Sequence, residues 1–212
     1  MSNLITFLYT ALCFILPNTI WQLINRKKLR GNKDAVRHVV WTYIFFIYCS
    51  MTLYVAGVGT IWNLISNKGE LTGKINLTLF CPDGFMQYFL NVIMFMPFGF
   101  LLPFIWEEFR SFKKSLLAGF CFSLTIETIQ LFNYRVSDVD DLMTNTFGTF
   151  IGYMMCMAFI KIFKHRKKTA IEIMRFEPVA HVILGVLGVF ILLNYGKVEG
   201  IENRVHLLLS SI

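Results

Sequence analysis

Charge is scarce in this chain. Asp, Glu, Lys and Arg make up only 16% of its 212 residues, against roughly 25% in soluble domains. Hydrophobic residues reach 56% and the mean hydropathy is +0.59. So little polar surface cannot cover so much apolar surface, which excludes a water-soluble domain of this size and makes lipid the solvent for most of the chain. Cysteine is sparse and unpaired: the five are odd in number and show no CxxC spacing. Cys13, Cys49, Cys121 and Cys156 fall inside apolar runs, where a thiol behaves as a small hydrophobe, and Cys81 stands alone in an expected outer loop. A disulfide framework is not expected on that pattern. The four histidines are scattered without metal-ligand spacing, so neither zinc nor another cofactor is expected. No internal repeat or low-complexity segment is present.

What charge there is gives a net +7, and its placement matters more than its size. Basic residues cluster at Arg26–Arg37, at Arg110, Lys113 and Lys114, and at Lys161–Arg175. Each cluster sits between apolar runs, as cytoplasmic loops do under the positive-inside rule. Nucleic acid is therefore not an expected partner; membrane lipids are.

Six apolar stretches follow: Leu4–Ile24, Val36 to about Trp62, Gln87–Trp106, Ser115–Tyr134, Leu142–Phe163 and Pro178–Tyr195. Each approaches the roughly 20 residues needed to cross a hydrocarbon core. The first has no basic residue before it and no small-residue cleavage site after it, so it is expected to stay as a helix with its N-terminus outside. The loop charges alternate accordingly. The loops 25–37 and 164–177 are strongly basic, 63–86 is nearly balanced, and 135–141 holds Arg135 with Asp138, Asp140 and Asp141. The expectation is an all-α polytopic membrane bundle of about six helices with both termini outside. Its regions are 1–62 (two helices and a basic loop), 63–163 (an outer loop and a three-helix core) and 164–212 (a basic loop, the last helix and a tail).

Polar groups inside such segments cost several kcal/mol unless they face the bundle interior or water. Ser123, Glu127, Gln130 and Tyr134 are spaced to share one helical face. Asp141, Asn145, Gly148 and Gly152 repeat the pattern on the fifth segment, and the third carries Asn91 followed by Met96-Pro97-Phe98-Gly99. At about 1.5 Å per residue, Asn91, Glu127 and Asn145 belong to the outer half of the membrane, with Glu127 roughly 10 Å below Tyr134. One polar pocket opening outward is the economical reading, with Asn91, Ser123, Glu127, Gln130, Arg135, Asp138, Asp140, Asp141 and Asn145 as its candidates. Structural readings stand beside it. Asp140 or Asp141 would cap the fifth helix, Arg135 would bridge Asp138, Gly148 and Gly152 would be a helix-packing face, and Pro97, Gly99 and Pro103 would bend the third helix. Chemically, Glu127 suits a general acid or base, the Asp residues with Glu127 suit a divalent cation, and the whole set suits hydrogen bonding to sugar, peptide or phosphate. Ser123 and Ser137 are the only serines nearby, and neither sits in a nucleophile motif.

The stretches Asn76-Leu-Thr-Leu-Phe80 and Asn91-Val-Ile-Met-Phe95-Met-Pro97-Phe-Gly99 resemble the first signature of the VanZ-like membrane protein family. Glu127-Thr-Ile-Gln130, Arg135-Val-Ser-Asp138-Val-Asp140-Asp141, and Asn145-Thr-Phe-Gly148 with Gly152 resemble the second. The resemblance spans about residues 76–155, and Leu79 departs from it where the family usually has proline. It implies a bacterial plasma-membrane protein of a family tied to low-level resistance to the glycopeptide teicoplanin. The implied partner is a lipid-linked envelope precursor or the lipoglycopeptide itself. An enzyme acting on such a precursor and a small transporter are the alternatives; a transporter of six helices without an inverted repeat is the weaker of the two.

Overall fold

The computed structural model describes residues 2–28, 34–71, 73–77, 79, 84–163 and 176–198. Cys81, Thr78 and Phe80 of the first signature's opening stretch, residues 29–33 of the first basic cluster, residues 164–175 of the third, and the tail beyond Val198 lie outside the described residues. Among the described residues seven α-helices run in the order α1 (Ser2–Asn25), α2 (Ala35–Ala56), α3 (Ile61–Ser66), α4 (Phe85–Ile105), α5 (Phe112–Gln130), α6 (Val139–Ile162) and α7 (Glu177–Leu192). Two three-residue strands, β1 (Lys74–Asn76) and β2 (Val136–Asp138), pair in parallel with Lys74 opposite Val136. The fold is helical apart from this small sheet, which the sequence reading does not contain.

Four stretches, Asn3–Asn25, Ala35–Ser66, Phe85–Ile105 and Val139–Ile162, are long and apolar enough to cross a membrane by length and composition. The other two long helices differ for physical reasons. α7 has 16 residues, about 24 Å at the α-helical rise. α5 carries an inward polar face of Ser115, Ser123, Glu127 and Gln130, all buried, which dilutes its hydropathy. Both still present an apolar outer face, through Leu117, Phe120 and Leu124 on α5 and Val179, Ile183, Leu187 and Ile191 on α7. α1 does the same at four-residue spacing with Leu4, Leu8, Leu12 and Leu16. An apolar stripe turned away from the core is the face a bundle offers to lipid.

Three boundaries shift from expectation. The second segment stops at Ala56 because Gly57 adopts φ 63°, and the Gly57 and Val58 N–H groups turn back to carbonyls of α2's last turn. A left-handed C-cap of this kind is open to glycine at no steric cost. The fourth segment ends at Gln130, so Tyr134 leaves the shared face; it is exposed, with its hydroxyl 3.2 Å from Asn67 Oδ1. Glu127 therefore lies only about 5 Å from the helix end, not 10 Å. Finally, Asp138 rather than Asp140 or Asp141 caps α6, accepting the Asp140 N–H at 3.0 Å.

α4 and α6 form the central pair. A side chain on Gly99 would meet the Thr149 backbone, one on Gly148 the Val92 carbonyl, and one on Gly152 the Met96 carbonyl. The two backbones touch along this seam, as small residues allow. Phe45, Phe95, Phe98 and Phe122 fill the space between α2, α4 and α5 with rings in contact. α4 stays helical through Pro97 and Pro103.

At the end of the bundle holding the N-termini of α2 and α7, a buried polar knot forms. Glu177 Oε1 lies 3.0 Å from His38 Nε2 and 3.4 Å from His181 Nε2. Asn18 Nδ2 donates to the carbonyls of Phe14 and His181, so its Oδ1 is left as the acceptor for His181 Nδ1–H at 2.8 Å. The two histidines meet only through the tertiary fold, across residues from three helices.

Candidate functional site

The site forms where α2 and α5 end and α4 and α6 begin. Beyond Gln130 the chain turns into β2, pairs with β1, and enters α6 through Asp138. Asp138 fixes this crossing in three ways. Its carboxylate caps α6 and also accepts from Asn76 Nδ2 at 3.0 Å, and its backbone N–H donates to Glu127 Oε2 at 2.9 Å. The end of α5 is thereby tied to the start of α6, with Glu127 only 5% exposed.

α6 is tied to α4 by Asp141, which accepts from Asn91 Nδ2 at 2.6 Å and Gln87 Nε2 at 3.0 Å. Asp140 turns the other way and accepts from the Tyr88 hydroxyl at 2.7 Å. About two turns into α6, Asn145 donates through Nδ2 to Ser123 Oγ of α5 at 2.9 Å. Gln130 donates to the Ala56 carbonyl at 2.8 Å, satisfying one of the acceptors that a helix C-terminus leaves open. α2 joins α4 through the Tyr48 hydroxyl, which donates to the Met94 carbonyl at 2.7 Å.

Between these elements lies a cavity of about 720 Å³, within the range of sites that hold small ligands. Of the nine polar candidates, Asn91, Glu127, Gln130, Arg135, Asp141 and Asn145 line it. Ser123, Asp138 and Asp140 stand behind the wall and hold it. Pro97 also lines the cavity, while Gly99, Gly148 and Gly152 form the α4–α6 seam beneath it.

Two arrangements expected from the sequence do not form among the described residues. Among the described residues no ion pair joins Arg135 to Asp138; the guanidinium lies against Gly57 instead, where any side chain would displace it. The carboxylates are also not gathered for a cation. Glu127 faces a backbone N–H, Asp138 a cap, Asp140 a phenol and Asp141 two amides, and no group of three or more metal-ligating residues forms among the described residues.

The sequence reading misses one wall and one contact. Tyr48, Met51, Thr52 and Val55 of α2 line the cavity, and none of the four is among the candidates read from the sequence. Gln87 shares the bond to Asp141; its spacing four residues before Asn91 is the signal that was available for it.

Two buried acceptors are left over. Among the described residues Gln130 Oε1 and Asn145 Oδ1 have no hydrogen-bond partner, and both residues line the cavity while being 5% and 2% exposed.

Residues 2–164 match the family model described as VanZ/LLP1, which extends the likeness well beyond residues 76–155 to include α1 and α2. The chain is similar to Protein VanZ of Enterococcus faecium, at 37% identity over 93 residues. That alignment covers 43% of this chain and 57% of the relative. No solved structure matches.

Proposed function

Since the chain belongs to the VanZ/LLP1 family, we propose that it contributes to teicoplanin resistance through the polar cavity at one end of its bundle, which engages an envelope molecule or the lipoglycopeptide. In this reading the protein crosses the bacterial plasma membrane six times, with both termini outside. Three features support that arrangement. The six long helices carry apolar outer faces. The basic clusters fall in the loops assigned to the cytoplasm, as the positive-inside rule requires. The ends of α2 and α5 and the starts of α4 and α6, which frame the cavity, all fall on the side assigned to the exterior.

The observation that carries the reading is the convergence of Asn91, Glu127, Gln130, Arg135, Asp141 and Asn145 on one cavity. A packing-only bundle gains nothing from concentrating amides, acids and a guanidinium there, because each must be desolvated and then satisfied. The hydrophobic tail of teicoplanin, which vancomycin lacks, makes the outer leaflet a natural place to interfere with the drug.

The test is expression in a teicoplanin-susceptible Gram-positive host. The wild-type chain should raise the inhibitory concentration of teicoplanin and leave that of vancomycin unchanged. Glu127→Ala and Asp141→Ala, accumulating in the membrane to wild-type levels, should return it to the host's own value. Full protection by both variants would refute the cavity's role.

A further inference from the structure

The cavity is not closed on all sides. Met51 and Val55 of α2 and Leu90 and Ile93 of α4 line it, yet the same four residues are 47%, 54%, 55% and 45% exposed and continue the exposed stripes of Val40, Ile44 and Ile47 on α2 and Met86 on α4, which lie outside the cavity. A residue that is both cavity wall and outer surface marks an opening, and this one faces sideways between α2 and α4. Counted from the outer helix ends at the α-helical rise, Leu90 lies about 7 Å deep and Ile93 about 12 Å. The opening therefore gives on to the acyl region of a bilayer leaflet rather than on to water.

Its chemistry is graded along the same axis. The deep part is apolar, with Ile93, Met94 and Pro97. The shallow part offers one guanidinium without an ion-pair partner among the described residues, on Arg135. Beside it stand the Glu127 and Asp141 carboxylates and the two unpartnered buried acceptors, Gln130 Oε1 and Asn145 Oδ1. Buried acceptors of this kind are costly until a donor reaches them. A guanidinium recognises phosphate through paired N–H bonds.

From this arrangement we infer that the cavity takes a membrane lipid sideways between α2 and α4, and that it selects headgroups in which a phosphate is followed by a hydrogen-bond donor. The phosphate meets Arg135, and an ammonium or hydroxyl group meets Gln130 Oε1, Asn145 Oδ1 and the carboxylates. The acyl chains leave past Leu90 and Val55. This rests on the cavity being the functional site, and it names the class of molecule that the site engages. An aminophospholipid and a polyprenyl-diphosphate saccharide share the required chemistry. Phosphatidylcholine has the phosphate but no donor, and so serves as the control.

The full chain would be reconstituted into phosphatidylcholine nanodiscs doped in separate arms with phosphatidylethanolamine or with a polyprenyl-diphosphate disaccharide. Retained lipid would then be counted by native mass spectrometry. The expected result is enrichment of at least one doped lipid over phosphatidylcholine by roughly tenfold, about 1.4 kcal/mol; the arm that enriches identifies the source. Arg135→Gln should abolish the enrichment, as should Leu90→Trp, which adds bulk at the lipid-facing opening without touching the polar groups. No enrichment in either arm, or enrichment unchanged by both substitutions, would overturn the inference. An absence of enrichment alongside lost teicoplanin protection in Glu127→Ala would reject the lipid while leaving the cavity's role in resistance standing.

Discussion

Gly152→Val should prevent the folded protein from accumulating in the membrane. A Cβ at this position would run into the Met96 carbonyl and the Phe100 nitrogen, and neither is a side chain that can swing aside. Gly148 meets the Val92 carbonyl from the same helix, and Gly99 meets the Thr149 backbone from the other. The α4–α6 contact is thus set by three glycines in mutual register, and it cannot widen at one without opening at the others. Overpacking a tight interior typically costs about 1–3 kcal/mol, and the valine adds two further methyl groups to a Cβ that already has no room. The consequence reaches the cavity, because the seam holds Asn91 of α4 against Asp141 of α6. Membrane yield and size-exclusion profile in detergent measure the effect. Met155→Val, on a half-exposed outer position of the same helix, should behave like the wild type.

The second large effect is expected at the opposite end of the bundle. Glu177→Ala removes the partner shared by His38 and His181, at 3.0 and 3.4 Å, in a region where Glu177 is 1% exposed. Both ring nitrogens then stay buried without a partner, at about 1–3 kcal/mol each. His181 keeps its Nδ1 bond to Asn18, so α1 and α7 should remain associated while α2 loosens from them. A lowered unfolding temperature in detergent would report the loss. Glu177→Gln retains an acceptor for His38 and should recover part of it. This knot lies away from the cavity, so surviving Glu177→Ala protein in the membrane should still protect against teicoplanin.

Helix positions were legible in the sequence because runs of about 20 apolar residues have few alternatives once lipid is the solvent. Helix ends were less so. The apolar run beyond Ala56 continues through Val58 and Ile61, and only the left-handed conformation of Gly57 breaks it. Likewise Leu131, Phe132 and Tyr134 look like helix, yet the chain needs those residues to turn into β2. The polar candidates were legible because lipid penalises each of them separately, so their rarity singles them out. Their partners were not. Nothing local says that Tyr48 reaches Met94, that Gln130 reaches Ala56, or that Asp138 offers its N–H to Glu127. Those bonds depend on how the helices pack, which hydropathy does not encode. The His38–Glu177–His181 knot divides the same way: Glu177 and His181 sit four residues apart on α7, but His38 lies 139 residues from Glu177, and no spacing rule could join it to them.

On the proposed reading the cavity faces outward and carries the resistance. Gln87 is the most direct probe, since it lines the cavity and is exposed at the start of α4. Gln87→Cys would be placed in a chain whose Cys81 and Cys121 are replaced by alanine; Cys13, Cys49 and Cys156 are buried. Intact cells would be treated with a membrane-impermeant maleimide before teicoplanin susceptibility is measured. The expected result is labelling from outside, with teicoplanin protection lost in proportion to the fraction labelled. Labelling only after the membrane is permeabilised, or full protection in fully labelled cells, would contradict it.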